Sequence, residues 1–284
     1  MKKKNTLFRY PSSVLLFLLT RIGALLTGGT FIALVGYILI SGLPHLSWDL
    51  FSPIYHSENV SLLPALFNTI LIAFIALCIS LPLGCFSAIY LVEYAKKGSR
   101  FVKIISTAAE TLSGIPSIVY GLFGMLFFVT SLKWGFSILS GAATLSIMIL
   151  PLIMRTTQEA LQSVPDSFRE GSFGLGAGKL RTIFRIVLPS AVPGILSGVI
   201  LAVGRIVGES AALIYTAGTV AGFPSNLHSS GRTLSVHMYV LSSEGLHTEK
   251  AYATAVVLLV LVFIINTLST LVSKRIGKNM EGHT

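Results

Sequence analysis

From Leu62 to Val92 the chain runs 31 residues without a charged side chain. A bilayer core takes about 20 helical residues. Inside it every backbone N–H and C=O must be satisfied by the chain itself, so a segment this long and apolar reads as a transmembrane helix. Five more segments follow the same rule: Ile22 to Leu43, Thr111 to Leu132 (its helix starting near Phe101), Trp134 to Met154, Ile186 to Tyr215, and Ala251 to Ser273. Allowing for helix ends, the expected spans are 20–43, 64–93, 101–130, 135–157, 187–216 and 251–274. The predicted fold is therefore an all-α integral membrane domain over residues 1–284, with six helices. Only 11% of residues are charged, against about 25% in soluble domains. The N-terminus carries Lys2, Lys3 and Lys4, like a signal peptide, but the apolar run after it is too long and lacks a small-residue cleavage site. It reads as an uncleaved anchor.

The net charge of +10 raises the question of nucleic acid. Its distribution answers it. Lys96, Lys97, Arg100 and Lys103 fill one connection, and Arg155, Arg169, Lys179, Arg181 and Arg185 another. Lys2, Lys3, Lys4 and Arg9 precede the first span, and Lys274, Arg275 and Lys278 follow the last. The alternate connections hold only Lys133, Arg232 and Lys250. Positive residues mark the cytoplasmic side, so both termini are expected there. The charge is a topology signal, and the partner is a lipid bilayer rather than nucleic acid. Cys78 and Cys85 lie seven apart on one helix, about 10 Å at the helical rise, too far for a disulfide. The six histidines show no metal spacing.

The stretch Gly171 to Thr182, GSFGLGAGKLRT, superficially suggests a phosphate-cradling loop. A P-loop needs G-x-x-x-x-G-K-[ST]. Here Phe173 stands where the first glycine belongs, and Leu180 follows Lys179. The glycines Gly174, Gly176 and Gly178 do not fit G-x-G-x-x-G either. No nucleotide or metal is expected on this chain. The connection, about 158–186, instead has helix grammar. Pro165 suits a first helical position, with Asp166 and Glu170 near the N-terminal end. Gly174 and Gly176 can end that helix. Leu180, Ile183, Phe184 and Val187 then share a face, as a helix lying at the membrane surface would.

Glu170 to Pro189, EGSFGLGAGKLRTIFRIVLP, resembles the EAA loop of ABC importer permeases, E-A-A-x3-G-x9-I-x-L-P. Glu170, Gly176, Ile186, Leu188 and Pro189 match at every spacing; Gly171 and Ser172 replace the two alanines. SGIPSIVYGLFG (Ser113 to Gly124) and GRIVGESAALIYTAG (Gly204 to Gly218) resemble spans three and five of phosphate permeases of the PstA and PstC type. The short, six-span chain is more similar to the PstA branch. The resemblance implies a type I ABC importer fold and half of a phosphate translocation path. It also implies ATP and magnesium used by a separate PstB-like ATPase dimer that receives the loop, a second, PstC-like permease, and an extracytoplasmic PstS-like binding protein.

Glu110, Arg205 and Glu209 are acidic or basic groups at membrane depth, where charge is costly and functional. Arg205 and Glu209 are four apart and are expected to share a face of helix five, as a structural ion pair or with Arg205 meeting phosphate. Gly194 and Gly198, then Gly204 and Gly208, form G-x-x-x-G pairs that let helices approach closely. Pro116, with Gly114 and Gly121, is positioned to break the third helix. The alternatives are a sulfate or molybdate permease, which would carry the same loop, and a self-sufficient channel or secondary transporter, which would not need it. An intramembrane enzyme would need a nucleophile–base pair or clustered ligands, and the spans hold neither.

Overall fold

The computed structural model describes residues 11–96 and 98–281, and side chains for 14–96 and 98–271. Lys2, Lys3, Lys4, Arg9 and Lys97 lie outside the described residues, as do the side chains of Lys274, Arg275 and Lys278. The elements of the described residues are helices joined by turns and loops: α1 Pro11–Gly42, α2 Leu63–Ile89, α3 Arg100–Ser113, α4 Ser117–Gly124, α5 Ile138–Gln162, α6 Asp166–Gly174, α7 Lys179–Thr182, α8 Leu188–Val207, α9 Ala211–Ile214, α10 Leu234–Glu244 and α11 Thr248–Glu281. π-helical turns extend α2 (Tyr90–Tyr94), α4 (Met125–Ser131) and α7 (Ile183–Val187). Five helical stretches are long and apolar enough to cross a membrane, and α3 with α4 makes a sixth as a bent pair.

α5 is the central helix, packed against α2 and α8. Ser137 starts it, accepting the Ser140 N–H at 3.1 Å, the capping role that a serine side chain fills well. Ile72, Leu145, Met148, Ile149, Ile153 and Ile206 bury against one another at this three-helix junction. Gly194 and Gly198 let α8 approach α5. A Cβ on Gly198 would fall on the Thr156 side chain, and one on Gly194 would lie 2.7 Å from Ala160 Cβ. This G-x-x-x-G pair serves packing within the chain. Gly204 has open space where its Cβ would be, so the second pair does not pack that way. α1 stands apart, held to α11 by an edge-on Tyr37–Tyr252 contact.

One expectation is met and two need correction. The third span is broken where Pro116 was expected to break it: α3 and α4 meet at 99°. Pro116 lacks an N–H and disfavours helix at the residue before it. The fifth span does not run to 216. α8 ends at Val207 with Gly208 as its cap, and only the short α9 resumes. The Leu180–Val187 segment is not a separate surface helix. It joins α8 in one apolar stretch, Lys179–Val207. Its π-turn carries more residues per turn than an α-helix, so Thr182, Ile183 and Val187 are buried while Leu180 and Phe184 stay exposed.

Candidate functional site

α2 carries one site at each end. Its C-terminal turn meets the 163–187 loop, and its N-terminal end, through Asn68 and Thr69, meets the segment leading into α10.

At the loop, Pro165 sits just outside the helix rather than inside it, and Asp166 opens α6. One turn on, Arg169 reaches back into the bundle, and every guanidinium N–H finds an acceptor. Nε and Nη2 donate to Glu93 Oε1 at 3.1 and 2.7 Å, Nη2 also to the Leu161 carbonyl, and Nη1 to the Val164 carbonyl and Asp166. Glu93 sits in the π-turn that ends α2, and both side chains are largely buried. Ser172, one of the two departures from the motif, is buried with its hydroxyl 2.8 Å from Thr182 Oγ1, tying α6 to α7. Gly171 has open space around it, so no close packing demands a glycine there. Gly176 adopts φ +80° with nothing nearby, so backbone conformation requires glycine at the bend. Glu170 and Gly176 are exposed, and Ile186, Leu188 and Pro189 are half-buried. Phe168, Phe173, Leu175, Leu180 and Phe184 present an apolar surface outside the bundle.

The membrane site lies where two helices break. Gly121 of α4 packs on α9 so closely that a Cβ would sit 2.8 Å from Ala212 Cα. Glu209 falls in the gap between α8 and α9. Its carboxylate accepts the Ala212 N–H at 3.0 Å, capping α9, while its own carbonyl accepts the Ser235 hydroxyl of α10. Because α8 stops before Glu209, Arg205 and Glu209 do not share a helix face, and they form no ion pair among the described residues. The Arg205 side chain is part-exposed and makes no hydrogen bond to the described residues. Glu110 is exposed on α3, just before the bend.

The sequence reading missed the Arg169–Glu93 pair and a second buried group: Arg232 and His237, with Tyr55. Arg169 and Glu93 are 76 residues apart, and no local pattern joins them. The one visible signal is that Glu93 is the first charge after the long apolar run.

Comparison with known proteins agrees with this architecture. The family described as "Binding-protein-dependent transport system inner membrane component" matches residues 80–278. The probable ABC transporter permease protein YqgI of Bacillus subtilis is 33% identical, over 87% of this chain and 92% of its own length. The phosphate transport system permease protein PstA of Mycobacterium leprae is 38% identical over 54% of this chain, which spans only 50% of that protein. In fold, the chain is similar to one from a bacterial ABC transporter involved in the import of the acidic polysaccharide alginate. The TM-score is 0.67 at 18% identity, covering 92% of this chain and 95% of that one. A broken-helix membrane site, a structured helical loop at one end of the bundle and a family match over most of the chain lead to one conclusion: this protein belongs to the binding-protein-dependent transport system inner membrane components, as a multi-pass permease subunit of an ABC importer.

Proposed function

We propose that this chain forms half of the translocation path for inorganic phosphate, with a second permease subunit forming the other half. The observation that carries the reading is Arg205. It is a part-exposed guanidinium on α8 with no ion-pair partner among the described residues. A charge at the membrane midplane costs about 2.5–3.5 kcal/mol, so it needs a water-filled path or an anion for compensation. A guanidinium's planar fork suits phosphate, to which it can donate two hydrogen bonds. Glu209, occupied at the α9 cap, shapes the helix break instead of neutralising Arg205, and exposed Glu110 borders the same path. The similarity to proteins named for phosphate transport supports the substrate.

On the same reading both termini are cytoplasmic. The Glu170–Pro189 loop, with its apolar surface, docks in a cleft of a separate ATPase dimer. ATP and magnesium are used there and no cofactor is held by this chain. An extracytoplasmic binding protein delivers the anion. The test is Arg205→Gln in the assembled importer. Normal recovery of partners with radiolabelled phosphate uptake reduced at least tenfold is expected, and Arg205→Lys should retain part of it. Near-wild-type uptake by an assembled Arg205→Gln importer would overturn the assignment of Arg205.

A further inference from the structure

The two arms of the loop grip one element. α6 packs chiefly against α7 and the turn that follows it, not against α2. A cleft of about 630 Å³ separates α6 from the α2–α3 connection. What crosses it is side chain. From α6, Arg169 takes Glu93; from α7, the Lys179 ammonium lies 4.8 Å over the Tyr94 ring. Both receivers belong to the five-residue π-turn at the end of α2, and the Ser172–Thr182 bond makes the arms one body. π-turns recur at functional sites because they interrupt helix regularity. A guanidinium with all five donors used has no slack: any shift of α6 must break a charge-assisted bond or carry Glu93 with it.

We infer that Arg169 is a positioning residue for energy coupling, transmitting movement of the loop to α2 through the Tyr90–Tyr94 turn. The inference rests on the proposed docking of this loop in the ATPase. Without the clamp the ATPase should still bind and hydrolyse ATP, but α2 should no longer follow.

The experiment uses the complete reconstituted importer, and its first readout does not depend on the substrate. Cys78, exposed on α2, carries a nitroxide in a Cys85→Ser background, and its spectrum is compared with and without ATP and vanadate. The wild type should show a nucleotide-dependent change. Arg169→Met should lose it while ATP hydrolysis stays within about twofold. In a background lacking both native cysteines, Glu93→Cys with Arg169→Cys should take up radiolabelled phosphate at least tenfold more slowly than wild type. A bifunctional thiol reagent that bridges the two should restore most of the rate. Should Arg169→Met fail to assemble, Glu93→Ala carries the test, since it removes the acceptor on α2 but leaves the carbonyl bonds of Arg169 in place. An unchanged nucleotide response in the variants, no response in an ATPase-bound wild type, or a cross-linked pair as inactive as the open one would overturn the inference. Failure of the wild-type loop to recruit the ATPase at all would instead remove the docking reading beneath it.

Discussion

Arg232 and His237 are buried together where α2 meets the segment leading into α10. Arg232 is 4% exposed, with its Cζ 4.7 Å over the Tyr55 ring. His237 is fully buried, edge-on to the same ring, and neither ring nitrogen makes a well-aligned hydrogen bond to the described residues. α10 is not one of the membrane-crossing helices. Burial pushes the His237 pKa down to about 3, the Arg232 charge adds to this, and the Val60 backbone offsets it only in part. The folded value lies below the unfolded one of about 6.5. The neutral ring therefore contributes its full stability above that pH, and the contribution shrinks as pH falls from about 6.5 towards 3. At pH 5 the loss is about 2 kcal/mol. Thermal unfolding of the purified permease between pH 7.5 and 5 should show it, and His237→Phe should flatten that part of the slope. Identical slopes in the two proteins would contradict it. In the sequence these residues are one of three basic residues in the sparse connections and one of six scattered histidines. Their meaning comes wholly from burial, which no local pattern encodes.

At the scale of elements, what was legible depended on hydropathy. The six apolar segments correspond to helices because lipid leaves the backbone no other solution. The break near Pro116 was legible from one residue type, though not its right angle. The end of α8 at Val207 was hidden. Gly204 and Gly208 fit a packing motif, and Arg205 with Glu209 fit helical spacing, so period alone suggested a continuous helix and a shared face. The π-turns were hidden too, since an extra residue per turn leaves hydropathy unchanged. The first helix and the bend of the EAA-like loop were legible, though not that its second arm runs on into α8, and its two glycines now separate. Gly171→Ala adds a methyl in open space within α6 and should stabilise by about 0.5–1 kcal/mol. Gly176→Ala forces a side chain into a left-handed backbone at a cost of about 1–2 kcal/mol and should weaken recovery of the ATPase in pull-downs. Unfolding midpoints and pull-downs on the two variants check this. Equal effects would show that the bend does not depend on Gly176.

At the scale of the whole molecule, α2 joins the parts. Its C-terminal turn receives the 163–187 loop, its middle packs on α5, and its N-terminal end holds the segment leading to α10, whose Ser235 bonds Glu209. A movement imposed at one end thus has a continuous packed route to the helix break beside Arg205. The membership and the fold were within reach of the sequence because hydropathy and the loop motif carry them. The route was not, since it consists of contacts between residues far apart in the chain. The proposed ATP-driven import of phosphate is tested most directly in proteoliposomes holding the complete importer with an extracytoplasmic binding protein. Radiolabelled phosphate should accumulate only when ATP is supplied to the loop side, and excess sulfate or molybdate should not compete. Accumulation of sulfate in place of phosphate, or phosphate entry without ATP, would contradict it.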